Sequence, residues 1–238
     1  MRFKTVLFDL DGTLLPMDQD VFMKAYFKGI SGKAAPFGYD PASLVQNIWK
    51  GTYAMVKNDG SASNEDVFWN VFNGFYDFPV DKDIFNRFYE NEFDEVRLSC
   101  GFTPDAAALV RRLKDAGCGV ILASNPLFPM TAQQHRMMWA GLDPSDFDYI
   151  TSYENSRYCK PNPDYYREIA SKCGLNPAEC LMVGNDAGED LPAAKAGFHV
   201  FLLTDCLINK QGTDCDALPH GGFPELSRFL SGTDAGTP

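Results

Sequence analysis

The sequence predicts an α/β fold: a doubly wound parallel sheet of Rossmann-like build, with an α-helical block inserted after its first strand. Three observations predict it. Short apolar runs at residues 6–8, 119–123 and 181–183 each stop abruptly at polar residues, as buried parallel strands do. From Gly101 onward such runs alternate with helical periods, the pattern of strand-helix-strand units. Residues 18–97, by contrast, hold most of the aromatic side chains and show helical periods with no strand between them.

The first apolar run ends in Asp9-Leu10-Asp11-Gly12-Thr13. In open α/β sheets the carboxyl ends of strands face the ligand crevice, so this strand delivers acidic side chains to that crevice. Residues two apart share a strand face, and Gly12 allows an immediate turn that folds Asp11 back toward Asp9. Two carboxylates so close repel unless a cation lies between them, which points to a hard metal such as Mg2+.

The helical block reads as four helices. Apolar residues crowd one side of 21–27. Asp40-Pro41 supplies an N-cap and a first-turn proline to a helix carrying Leu44, Val45, Ile48, Trp49 and Val56. Ser63 and Asp66 resemble a capping box ahead of Val67, Phe68, Val71, Phe72 and Phe75. A fourth segment, from about Asp81, places Ile84, Phe85, Phe88 and Tyr89 on one side and continues to Phe93. The aromatic stripes are expected to be core rather than a ligand box. Such a block is a candidate lid over the strand ends.

After Gly101, Thr103-Pro104 caps a helix that ends at Gly117, and 119–123 is a buried strand broken by Ser124-Asn125-Pro126. A helix over 131–139 and a strand over 147–151 follow. Lys160-Pro161-Asn162-Pro163 leads into a helix over 165–173, and Asn176-Pro177-Ala178-Glu179 carries the signature of a helix start. The strand 181–183 breaks at Gly184-Asn185-Asp186, with Asp190 four residues beyond, and 198–203 is the last core strand. The tail, 231–238, is expected to be flexible.

Hydrophobic residues make up 45% of the 238, enough for a core. Lys and Arg number 21 against 32 Asp and Glu, a net charge of -11, which argues against nucleic acid and anionic membranes as partners. The seven cysteines include no C-x-x-C pair, so neither a disulfide framework nor a zinc site is expected and a reducing, cytoplasmic setting is. Asp9 and Asp11 interrupt the first apolar run too early for a signal peptide, and no apolar stretch reaches membrane-spanning length. Cys159, beside Lys160, has no histidine at a motif spacing and reads as a bystander.

Three further polar stops follow strands: Ser124-Asn125, Lys160, and Asp186 with Asp190. In order along the chain, Asp9-Leu10-Asp11-Gly12-Thr13, Ser124-Asn125, Lys160-Pro161 and Gly184-Asn185-Asp186-Ala187-Gly188-Glu189-Asp190 match the four motifs of the haloacid dehalogenase-like (HAD) hydrolases. Over roughly residues 4–205 the sequence resembles a phosphatase-type member of that superfamily. The resemblance implies a catalytic core of 1–15 and 98–230 and a helical cap of 16–97. It implies Mg2+-dependent hydrolysis of a small phosphomonoester, with Asp9 as nucleophile and Asp11 as general acid and base. Asp9, the Asp11 carbonyl, Asp186 and Asp190 would hold Mg2+, and Ser124, Asn125, Lys160 and Thr13 would contact the phosphate. Asn185 interrupts the usual Gly-Asp of the fourth motif and is a candidate metal ligand beside Asp186. A sugar phosphate, a phosphoglycolate-like acid or a nucleoside monophosphate would each be compatible. The alternatives are a phosphomutase, a phosphonatase using a cap lysine among Lys24, Lys28, Lys33, Lys50 and Lys57, and a non-catalytic phosphate-binding relative. A dehalogenase is disfavoured, because those relatives lack the acid at the position of Asp11.

Overall fold

A computed structural model describes residues 1–232. Strand β1 (Thr5–Phe8) lies at the centre of a six-stranded parallel sheet, in the order β3-β2-β1-β4-β5-β6. Its neighbours are β2 (Gly119–Leu122) and β4 (Cys180–Gly184), with β3 (Tyr149–Ile150) beyond the first and β5 (His199–Leu203) and β6 (His220–Gly221) beyond the second. The direction of winding reverses between β1 and β4, and ligands bind at such switch points in this architecture. Phe8 is in register with Leu122 and Val183, so the chain beyond each of the three strands emerges at one level.

Every residue of β1 is buried. Val6 and Phe8 pack into one apolar cluster and Leu7 into another on the opposite face, the two-residue alternation of a strand covered on both sides. Val120 and Leu122 against Ile121, and Leu181 and Val183 against Met182, divide in the same way.

Between β1 and the next core helix come α1 (Gln19–Ala34), α2 (Pro41–Val56), α3 (Asn64–Asn73) and α4 (Lys82–Glu90), then a 3-10 segment, Glu92–Ser99. Asp18, Asp40, Ser63 and Asp81 cap the four helices through side-chain oxygens. The two connections to this block run side by side: Met17 pairs with Cys100 in an antiparallel bridge, and the Gly101 amide donates to the Pro16 carbonyl at 2.7 Å.

The remaining elements are α5 (Pro104–Asp115), α6 (Met130–Trp139), α7 (Pro163–Cys173), a single turn α8 (Ala187–Asp190) and α9 (Phe223–Ser231). Four expectations are corrected. The strand expected over 147–151 is only two residues long, because the Asp148 carboxylate takes the Val120 amide at 2.9 Å in place of a ladder partner. Asn176-Pro177 starts a lone 3-10 turn, because β4 begins at Cys180. The strand expected over 198–203 is followed by another, β6, and by α9; glycines and a proline in Gly221-Gly222-Phe223-Pro224 hide both from periodicity. The aromatic block is both core and cavity wall: Phe72, Phe88 and Phe93 are fully buried, whereas Phe22, Phe27, Trp49 and Trp69 line a cavity.

The tail expected from 231 lies, beyond Gly232, outside the described residues. Among the described residues all seven cysteines are free thiols, and no helix is long and apolar enough to cross a membrane.

Candidate active site

The loop after β1 is held from several sides. Asp9, 7% exposed, donates its amide to the Val183 carbonyl at 2.9 Å. Thr13 donates its hydroxyl to Asp9 Oδ2 at 3.2 Å and to Asn185 Oδ1 at 3.0 Å. Asn185 in turn donates Nδ2 to the Cys206 carbonyl at 2.7 Å. Gly12 has φ +86°, and a Cβ there would lie 2.2 Å from Asn185 Nδ2. The glycine therefore supplies both the left-handed turn and the space that Asn185 fills. Thr13 and Asn185, both buried, brace Asp9 from below.

Lys160 is 1% exposed and lies between two acids, Nζ donating to Asp9 Oδ1 at 2.8 Å and to Asp190 Oδ1 at 2.7 Å. Burial opposes the ammonium charge, but Asp190 and Asp9 override it and hold the lysine pKa well above its ordinary value. Asp190 is fully buried, and its other oxygen accepts from the Asp186 amide at 3.0 Å. The close approach depends on Gly184, where a Cβ would meet Asp190 Oδ2 at 2.0 Å. Asp186 Oδ1 caps α8 by accepting from the Gly188 amide at 2.7 Å and the Glu189 amide at 3.2 Å.

Ser124 lines the cavity, and its carbonyl accepts from the Thr151 and Tyr165 hydroxyls at 2.7 and 2.8 Å. Asn125 joins two segments: its Oδ1 accepts from the Lys160 amide at 3.2 Å and its Nδ2 donates to Glu189 Oε1 at 3.1 Å. Asp9, Asp11, Ser124, Asn125, Asp186 and Asp190 all line one cavity of about 300 Å3, with Thr13 and Lys160 directly behind Asp9. All eight candidate site residues are thus brought together.

Arg136 was not among the candidates. It is fully buried on α6, pairs with Asp11 Oδ2 and Gln133 Oε1, and lies over the Phe128 ring at 4.4 Å. Asp11 Oδ1 is buried and unpartnered. Burial pushes the Asp11 carboxyl up, the Arg136 charge pulls it back, and Asp9 pushes it up again, leaving it above the ordinary carboxylate value. The available signal was Gln133 and Arg136, three apart on a helix whose other inward positions, Ala132 and Met137, are apolar.

Two suspected groups stand apart. Burial pushes the Cys159 thiol far up, and Asn64 Nδ2 contacts its sulfur at 3.3 Å, so it is not a poised thiolate. None of Lys24, Lys28, Lys33, Lys50 and Lys57 lines the cavity.

The donor chemistry suits a hard cation. Asp9 and Asp186 carboxylates line the same cavity, and the Asp11 carbonyl has no hydrogen-bond partner among the described residues. No cage of three or more His, Cys, Asp or Glu side chains forms among the described residues. Mg2+ does not need one, since it takes one or two carboxylates and fills its shell with water and substrate oxygens.

Burial raises the Glu189 carboxyl from its ordinary 4.5 to about 7, Lys160 opposing the shift and Asp190, Asp9 and Asp186 adding to it. Between those values the folded chain keeps a proton that the unfolded chain has released. The stability this group contributes is full below about pH 4.5 and is lost as pH rises through 7. Glu189→Gln is expected to reduce the fall in urea stability of the metal-free protein between pH 5 and 8 by about 1–3 kcal/mol. Equal slopes for the two proteins would mean that Glu189 titrates normally.

A family model for haloacid dehalogenase-like hydrolases matches residues 3–197. The chain belongs to that family. It is 29% identical to hexitol phosphatase A of Escherichia coli over 223 residues, 92% of each chain. It is 31% identical over 113 residues to (S)-2-haloacid dehalogenase 4A of Burkholderia cepacia, a match spanning 46% of this chain and 44% of that one. Among solved structures it resembles CbbY from Rhodobacter sphaeroides in complex with phosphate, with a TM-score of 0.60 and 18% identity over 94% of this chain and 96% of that one. At that identity the likeness concerns the fold. In this HAD-like hydrolase the four matched motifs lie around the carboxyl ends of β1, β2 and β4.

Proposed function

We propose that this HAD-like hydrolase cleaves a small phosphomonoester, with Asp9 as nucleophile and residues 16–97 as the cap over the site. The observation that carries the reading is the buried Asp9–Lys160–Asp190 chain opening, with Asp11, into one cavity. A carboxylate fixed by Lys160 and Thr13 keeps one orientation toward a bound ester. Asp9 attacks phosphorus in line, the bond to the leaving oxygen breaks, and Asp11 gives that oxygen its proton. Asp11, now ionised, takes a proton from water as the water attacks phosphorus, releasing inorganic phosphate and restoring Asp9. Burial, which raises the Asp11 carboxyl, suits the first half of this cycle, and Arg136 stabilises the ionised form needed for the second.

Ser124 and Lys160 offer a hydroxyl and an ammonium to the transferring phosphoryl oxygens. Asn125 contributes by aligning the Lys160 backbone with Glu189. Asp9, Asp186 and the Asp11 carbonyl would hold Mg2+, which when bound would offset the negative charge gathered on the phosphoryl group. Asp190, with both oxygens engaged, acts by positioning Lys160.

The acid at Asp11 favours ester cleavage over dehalogenation, whose leaving halide needs no proton. That none of the five cap lysines lines the cavity weighs against the phosphonatase alternative, which needs one for a Schiff base.

The test is phosphate release from a panel of phosphomonoesters, with Mg2+ and with EDTA. Release that depends on Mg2+ and returns on its re-addition is expected. Undiminished release in EDTA would exclude the metal, and isomerised rather than dephosphorylated product would identify a mutase.

A further inference from the structure

We infer that the alcohol released at this site is uncharged, largely apolar and ring-bearing, so that the substrate is an aryl-type phosphomonoester. The inference rests on the phosphatase reading and concerns what the cavity admits beside the phosphoryl group. Ten of the 27 residues lining the cavity are aromatic, and Met17, Met23, Ile30, Ile48 and Leu127 add aliphatic surface. No Lys, Arg or His lines it. Its charged lining residues are all acidic: Asp9, Asp11, Asp186, Glu189 and Asp190, grouped at the strand ends.

A second anionic group on the substrate would therefore meet carboxylates at one end and aromatic rings at the other, with no lining cation beyond those the phosphoryl group would engage to compensate its desolvation. That weighs against a phosphoglycolate-like acid. Polar groups on the wall away from the acids are few: Gln19, Thr52, Asn86, Tyr153 and the unpartnered Trp69 Nε1, while the Tyr26 and Tyr89 hydroxyls bond one another at 2.8 Å. A polyol or sugar would leave several hydroxyls buried without partners. A quaternary ammonium could use the aromatic faces, but the carboxylates that would attract it are grouped at the strand ends, where the phosphoryl group and its metal would engage them, and the aliphatic residues among the rings give nothing to a cation. A volume of about 300 Å3, at the small end of ligand pockets, suits one compact ring system beside a phosphoryl group. Trp49, half-exposed and packed on Phe27 with ring centroids 5.5 Å apart, lines the cavity.

The test compares kcat/KM for 1-naphthyl phosphate, ribose 5-phosphate, mannitol 1-phosphate, phosphoglycolate, adenosine 5'-monophosphate and phosphocholine in the Mg2+-loaded enzyme. A preference of at least about a hundredfold for 1-naphthyl phosphate is expected. Trp49→Arg, which sets a cation on the wall, is expected to reduce the ratio of 1-naphthyl phosphate to phosphoglycolate activity at least about tenfold. Best turnover of phosphocholine, or of any sugar, acid or nucleotide ester, would overturn the inference and leave the phosphatase reading intact. Turnover of no ester would overturn the phosphatase reading, and binding would then decide the inference. By calorimetry, Asp9→Asn protein should bind 1-naphthyl phosphate at least about tenfold more tightly than phosphoglycolate, and equal binding would overturn it.

Discussion

Asp9→Asn is expected to lower phosphate release by about a thousandfold or more, because an amide of the same shape is a poor nucleophile toward phosphorus. The fold should tolerate the change. An amide oxygen can still accept from Lys160 Nζ, and the amide nitrogen can face the Thr13 hydroxyl as a donor. Lys160 keeps its second partner, Asp190, at 2.7 Å. A loss of about 1 kcal/mol in urea stability is therefore expected beside the collapse in rate. Phosphate release and urea midpoints on the same preparation check both parts. Activity within tenfold of the parent would remove Asp9 from the role of nucleophile.

Lys160→Met combines a functional loss with a large structural one. The ammonium is the only cation between Asp9 and Asp190 among the described residues. Without it two buried carboxylates face each other uncompensated, and breaking such a pair from one side costs about 3–5 kcal/mol. Turnover should fall at least about a hundredfold, since one donor to the transferring phosphoryl group is gone. The double variant Lys160→Met with Asp190→Asn separates the effects: it should recover much of the stability, because one of the opposed charges is removed, and none of the rate. A single variant as stable as the parent would mean that the two acids share a proton rather than a counter-ion.

The fold was legible where local signals agreed. The three central strands announce themselves as short apolar runs ending in polar residues, and Asp40-Pro41, Ser63 with Asp66, and Asp81 mark helix starts that the structure also has. The eight candidate site residues were legible because they match the four motifs of the family in order, and because most follow strands whose ends a parallel sheet delivers to one edge. Arg136 was hidden because its partner, Asp11, is 125 residues away, and the helical period that sets it beside Gln133 on the inward face names no acid for it to meet. The cavity wall was hidden for a related reason: Phe22, Trp49 and Trp69 belong to stripes whose neighbours are true core, and only the packing of α1, α2 and α3 decides which rings meet solvent. The strand at 220–221 and α9 were lost to turn residues at their junction.

The paired connections at Met17 and Cys100 make the helical block a bracketed clause in the chain. Its entry and exit points coincide, so its length and composition can change without altering the spacing of anything outside the bracket. On the proposed mechanism, the residues that break bonds sit on one side of this seam, and most of those inferred to sort molecules sit on the other. Selectivity can drift by exchange of the clause while the grammar of the reaction stays as it was.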